Sequence, residues 1–220
     1  MKNNYYLNQI KKILVILLFF IGKICAGQSS ITEKLEADSL IHSYFNHYEI
    51  LSIAALIEIY DVWILSETQE MNIDKAYHAF FERANNCNSA KDFLITFSLP
   101  KKQIDSVFSI FDRNHSVRAF WDLTVLRKNY QTNTISIIIT NYRPGSYYKY
   151  LNFLKELFND YPIMESYIES IYKSGSIPPT LVAGTAKNHH RFDFNDIRWR
   201  MFYAIHHFTI TYKTDFVRIN

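Results

Sequence analysis

Two cysteines, five glycines and five prolines in 220 residues leave little material for several common designs. Cys25 falls in an N-terminal segment that reads as a leader, so Cys87 alone remains once that segment is removed. One thiol makes no internal disulfide, which excludes a small secreted scaffold stapled by bridges. Gly22 and Gly27 also lie in the leader, and too few glycines remain to cradle a phosphate. The chain has no GxGxxG, Walker, HExxH, GxSxG or CxxC pattern, so neither a nucleotide-dependent enzyme nor a bound cofactor is expected. It also lacks internal repeats, low-complexity tracts and any Pro/Gly/Ser linker that would divide a domain.

Charge of one sign is scarce as well. The formal net charge is +3, from 24 basic and 21 acidic residues. Four lysines (Lys2, Lys11, Lys12 and Lys23) sit in the leader, so residues 28–220 carry 20 basic against 21 acidic groups. A nearly neutral domain has no global electrostatic reason to bind nucleic acid, and no nucleic-acid partner is expected.

What is present begins with that leader. Lys2, Lys11 and Lys12 precede an apolar run from Ile13 to Ile21, and Cys25-Ala26-Gly27 form a small-residue exit. This is the pattern of a cleaved signal peptide over residues 1–27, with an exported chain, periplasmic or secreted, starting at Gln28. The run is shorter than the roughly 20 apolar residues that span a bilayer, so no transmembrane segment is expected after cleavage. Lipid anchoring at Cys25 is the less favoured route, since Lys23 and Ile24 replace the small residues such a signal needs.

Seventeen Phe and sixteen Tyr supply the core that disulfides cannot. Leu40, Ile41, Tyr44, Phe45 and Tyr48 follow a helical stripe, and residues from about 50 to 66 are apolar almost all round, as in a helix at the centre of a bundle. Further stripes run through Ala76, Phe80, Phe81 and Ala84; through Ile104, Val107, Phe108 and Phe111; and through Val117, Phe120, Trp121, Thr124 and Val125. Tyr147, Leu151, Leu154 and Phe158 mark another helix before Pro162, and a last one spans Asp196 to His207. The expectation is a mainly α, single-domain bundle of about seven to eight helices. A small β element fits near 132–140 and 208–212, where β-branched residues gather.

Residues 174–194 read as a long loop, and such loops are often functional. Lys187, His189, His190, Arg191, Asp193, Asp196, Arg198 and Arg200 concentrate there and at the start of the last helix. Arg198 and Arg200 in a first helical turn oppose the helix dipole, so they call for carboxylate partners or an anionic ligand. Either Asp193 and Asp196 pair with them and order the loop, or the segment holds a ligand or protein partner. His189 and His190 are separated from His206 and His207 by roughly 18 Å of helix, too far to share one metal ion, so no metal site is expected. The second pair is expected to cap the negative end of the helix.

Glu58 and Asp61, at i, i+3 on the central helix, are the best candidates for acid–base work on a glycan or peptide. Tyr142, Tyr147, Tyr148 and Tyr150 surround the Pro144-Gly145 turn and suit protein or sugar contact. With no recognisable nucleophile or metal constellation, the favoured function is non-catalytic: an exported binding protein of the cell envelope that holds a protein partner through the basic loop and helix start. An envelope hydrolase using Glu58 and Asp61 is the alternative.

Overall fold

The computed structural model describes residues 30–87, 99–116, 122–129, 134–140, 146–174, 184 and 186–214. The leader and the Pro144-Gly145 turn lie outside the described residues, as do a helix start that the Ser89/Asp92 spacing predicts and a helix stop predicted at Gly175. Eight α-helices of six or more residues are present among those described, and residues 184 and 186–187 are also helical. The eight are α1 (30–37), α2 (Ser39–Tyr44), α3 (His47–Thr68), α4 (Ile73–Asn85), α5 (Lys101–Arg113), α6 (Ser146–Leu157), α7 (Pro162–Ser174) and α8 (Ile197–Thr214). The mainly α architecture is the one that the apolar periodicity implies.

Local chemistry sets the helix starts. The Asn46 side chain accepts from Glu49 N at 3.0 Å, and Glu49 Oε2 accepts from Asn46 N at 2.8 Å, a reciprocal capping box that opens α3. Asn72 accepts from Lys75 N at 3.0 Å to open α4, and Pro100 immediately precedes α5. Gln69, with φ 59°, ends α3 in the left-handed conformation.

Helix α3 is the axis of the molecule. Ile50, Ile53, Ala54, Leu56, Ile57, Tyr60 and Ile64 are buried on several of its sides, and α4, α5 and α8 all pack against it. Helix α6 packs on α2 and α7. Between α3, α4 and α8 the core is aromatic: Trp63 meets Phe80 edge-on at 5.1 Å, and Phe81 meets Tyr203 at 4.5 Å. Such pairs contribute about 0.5–1.5 kcal/mol beyond their area burial. None of the described helices is long and apolar enough to cross a membrane.

Two elements differ from the sequence reading. The segment around Thr124 and Val125 is not helical: Asp122–Asn129 forms strand β1, paired antiparallel with β2 (Thr134–Thr140) from Asp122↔Thr140 to Asn129↔Thr134. The β element expected at 132–140 thus has its partner just upstream, with a register irregularity between Val125 and Arg127. Residues 208–212 are not a strand but the continuation of α8. Phe208 is fully buried, and Thr209 Oγ1 donates to Ile205 O at 2.6 Å, so its hydroxyl is satisfied within the helix. Core packing outweighs the β propensity of Thr209, Ile210 and Thr211.

Candidate functional site

The start of α8 carries the two arginines, and the fold gives each a distant carboxylate. Arg198 Nε donates to Asp38 Oδ2 at 2.6 Å. The other Asp38 oxygen accepts from Leu40 N at 3.0 Å and Ile41 N at 3.1 Å, so one side chain both caps α2 and ties it to α8. Arg200 Nη1 donates to Asp61 Oδ2 on α3, and the Tyr77 hydroxyl donates to Asp61 Oδ1 at 3.0 Å. Arg200 is 5% exposed and Asp61 8%. The expected partners, Asp193 and Asp196, are engaged elsewhere: Asp193 accepts from Asn195 N and Nδ2, both at 3.0 Å, and Asp196 accepts from Arg198 N at 2.9 Å. Pairing is therefore the fate of both arginines, with partners that sequence proximity does not reveal.

Asp61 has an unusual environment. Burial raises its carboxyl from 3.8 to about 6, against the downward pull of Arg200, Tyr77 and Lys34. Burial and the neighbouring Asp61 also raise Glu58, which is half-buried on the next turn of the same helix. Desolvation outweighing attraction is the usual balance for a buried ion pair. As a pair of acids the two are unequal, because Asp61 is held by a guanidinium and a phenol while Glu58 is not. The groove of about 300 Å³ between α6 and α7, lined by Lys155, Phe158, Asn159, Glu165, Ile168 and Glu169, contains neither.

The segment before α8 is more ordered than a loop. His189–Arg191 forms a 3-10 turn against α4. Phe194 N donates to Asp74 Oδ1 at 2.9 Å, and the Phe194 ring stacks on Tyr77 at 4.7 Å. Phe192 stacks on Trp199 at 4.2 Å, locking the entry into α8. Lys187, His190, Arg191 and Asp193 are exposed. Lys187 and Arg191 make no ion pair with any described residue, in contrast to Arg198 and Arg200.

His189 points inward, toward a residue that sequence reasoning missed. Its Nδ1 lies 2.9 Å from Nδ1 of His78 on α4. On their far sides, His189 Nε2 is 3.4 Å from Glu82 Oε2 and His78 Nε2 is 3.5 Å from Asp74 Oδ1. The available signal was the spacing Asp74, His78, Glu82 at successive i+4 positions on one face of α4. It gave no hint of His189, 111 residues away.

His206 and His207 do not cap a helix end. They sit inside α8, which continues to Thr214, and both are fully buried. Burial lowers each from 6.5 to about 3, so both are neutral. The Tyr167 hydroxyl meets His206 Nδ1, and the Tyr60 hydroxyl lies 3.0 Å from His207 Nδ1. Of the expected tyrosine surface, Tyr150 is instead buried, packed near Phe153 and His206. Tyr142 and the side chains of Tyr147 and Tyr148 lie outside what is described.

No family model matches the chain, and neither a curated protein nor a solved structure matches it significantly.

Proposed function

We propose that this is an exported protein of the cell envelope that binds a protein partner without catalysis, through the turn preceding α8. The observation that carries the reading is the contrast among its cations. Arg198 and Arg200 are tied to internal carboxylates, whereas Lys187 and Arg191 are exposed and unpaired among the described residues. With His190 they form a small basic surface on a turn pinned to α4 and α8, so little ordering entropy is lost on binding. An acidic patch on another protein is the complementary surface. Arg198 and Arg200 then serve as internal anchors of the platform. Support for export is the leader pattern of residues 1–27. The hydrolase alternative has less support, because Asp61 is occupied by Arg200 and Tyr77.

The test is crosslinked affinity capture from the envelope fraction of the protein's own source, with the wild type and K187E/R191E side by side. One stoichiometric protein retained by the wild type and lost by the folded variant is the expected result. Equal retention by both, or no retained protein at all, overturns the reading.

A further inference from the structure

We propose that His78 and His189 form a proton-operated latch, which holds the turn before α8 shut against α4 with one added proton and opens it with a second. The geometry is a hydrogen bond between the two imidazoles, Nδ1 to Nδ1 at 2.9 Å. A single proton occupies that line, donated by one ring and accepted by the other, so the neutral pair is satisfied when the rings hold opposite tautomers. The ring that donates from Nδ1 then has a bare Nε2. On either ring that atom faces a carboxylate at ion-pairing distance, with His78 Nε2 3.5 Å from Asp74 Oδ1 and His189 Nε2 3.4 Å from Glu82 Oε2. A lone pair turned toward a carboxylate is a poor match.

Acid therefore acts in two opposed steps. The first proton goes to the bare Nε2 and replaces the poor match with an ion pair. It leaves the central hydrogen bond in place, now charge-assisted and roughly twice as strong. His78 is the ring that takes it, since 30% of its side-chain surface is exposed against 12% for His189. The second proton finds one nitrogen left, Nδ1 of His189, which is the acceptor in the contact itself. Two N–H groups cannot share a line of 2.9 Å, so the rings must part.

The groups around the pair set when this happens. Burial holds His189 below 6.5, His78 and the exposed His190 add to that, and Glu82 pulls it upward. The other neighbours are uncharged, with the Phe81 ring stacked on His189 at 5.8 Å and the edge of Phe194 on His78 at 5.3 Å. A lowered value in the closed state means stability that is complete above 6.5 and lost as the pH falls. For a closed turn that refuses the second proton, opening at pH 5 is favoured about thirtyfold over pH 7.5. Parting the rings frees from α4 the segment that carries Lys187, His190 and Arg191. Control of partner binding by this route rests on the reading above, whereas the opening itself does not.

The experiment is amide exchange by NMR on the full-length protein alone at pH 7.5 and 5, corrected for the intrinsic effect of pH. Phe194 N–H is the reporter, because it donates to Asp74 Oδ1 at 2.9 Å across the joint between turn and helix. Ile57, buried in α3, is the reference for global unfolding. Phe194 protection should fall about thirtyfold, staying below that of Ile57, while ring ¹⁵N signals show His189 Nδ1 gaining its proton over the same range. In H78Q the new amide oxygen accepts from His189 Nδ1–H, so no two donors meet and the fall should shrink to about threefold or less. H189Q carries the same expectation should H78Q fail to fold. An equal fall in the folded variants overturns the proposal, as does Phe194 exchanging only together with Ile57. So does a wild-type His189 Nδ1 that gains its proton with Phe194 still protected, a result that needs no variant. No arm uses a partner, so the latch and the binding reading fail separately.

Discussion

Lowering the pH from 7.5 to 5 should destabilise this protein through two residues that no solvent reaches. His206 and His207 are held near a pKa of 3 by burial, whereas an exposed histidine titrates near 6.5. The unfolded chain therefore binds two protons that the native state refuses. A group with a lowered native pKa contributes stability that is complete above 6.5 and is lost as the pH falls toward 3. Within that window the slope is about 2.7 kcal/mol per pH unit for two sites, or a loss of about 4 kcal/mol by pH 5. Asp61 acts in the opposite direction. Its native pKa of about 6 lies above the ordinary 3.8, so it favours the folded state as the pH drops. By pH 5 that returns about 1.5 kcal/mol, leaving a net loss of about 2.5 kcal/mol. This is a large share of the roughly 5–15 kcal/mol that holds a domain together. Urea unfolding followed by tryptophan fluorescence at successive pH values measures it directly. H206Q and H207Q should each remove about half of the histidine slope, whatever their effect on absolute stability. Unfolding free energies that stay level between pH 7.5 and 5, or a slope unchanged in both variants, would refute the reasoning.

Two further substitutions test the internal anchors. R200M strands a buried carboxylate beside Tyr77 and should cost about 3–5 kcal/mol in urea unfolding, while D61L/R200M recovers most of that because both desolvated charges are gone. A double variant no better than the single one would mean that the pair contributes more than its desolvation costs. D38A removes the α2 cap together with the Arg198 bridge and should cost about 1.5–2 kcal/mol, whereas D38N keeps a capping oxygen and should cost about 0.5 kcal/mol. Equal losses would place the energy in the ion pair and not in the cap.

Much of the helical layout was legible along the chain because it rests on local rules. The Asn46–Glu49 capping box, Pro100 before α5, and the all-round apolarity of residues 50–66 each act within a few residues. Failures occurred where a distant surface outweighed local propensity. Thr209 to Tyr212 is β-branched and aromatic but stays helical, since Phe208 and Thr209 are already committed to the core. The stripe through Thr124 and Val125 satisfied a helical period by composition, yet this backbone pairs with Thr134–Thr140 in a hairpin. In the candidate site, the need of Arg198 and Arg200 for carboxylates was readable from their place in a first helical turn. Their partners were not, because Asp38 and Asp61 lie 160 and 139 residues away.

The sequence by itself determined the class of structure: apolar spacing, capping residues and aromatic content are enough to require a helical bundle with an α3-like central member. It also marked residues 187–200 as the place where cations accumulate. Tertiary structure alone decided how Arg198 and Arg200 are paired, since pairing depends on where Asp38 and α3 arrive against α8. It decided too that His206 and His207 are neutral, because burial and not residue type sets their protonation. Finally, it brought His78 against His189, a contact set by how α4 meets the turn before α8 and by nothing in either residue's neighbourhood along the chain.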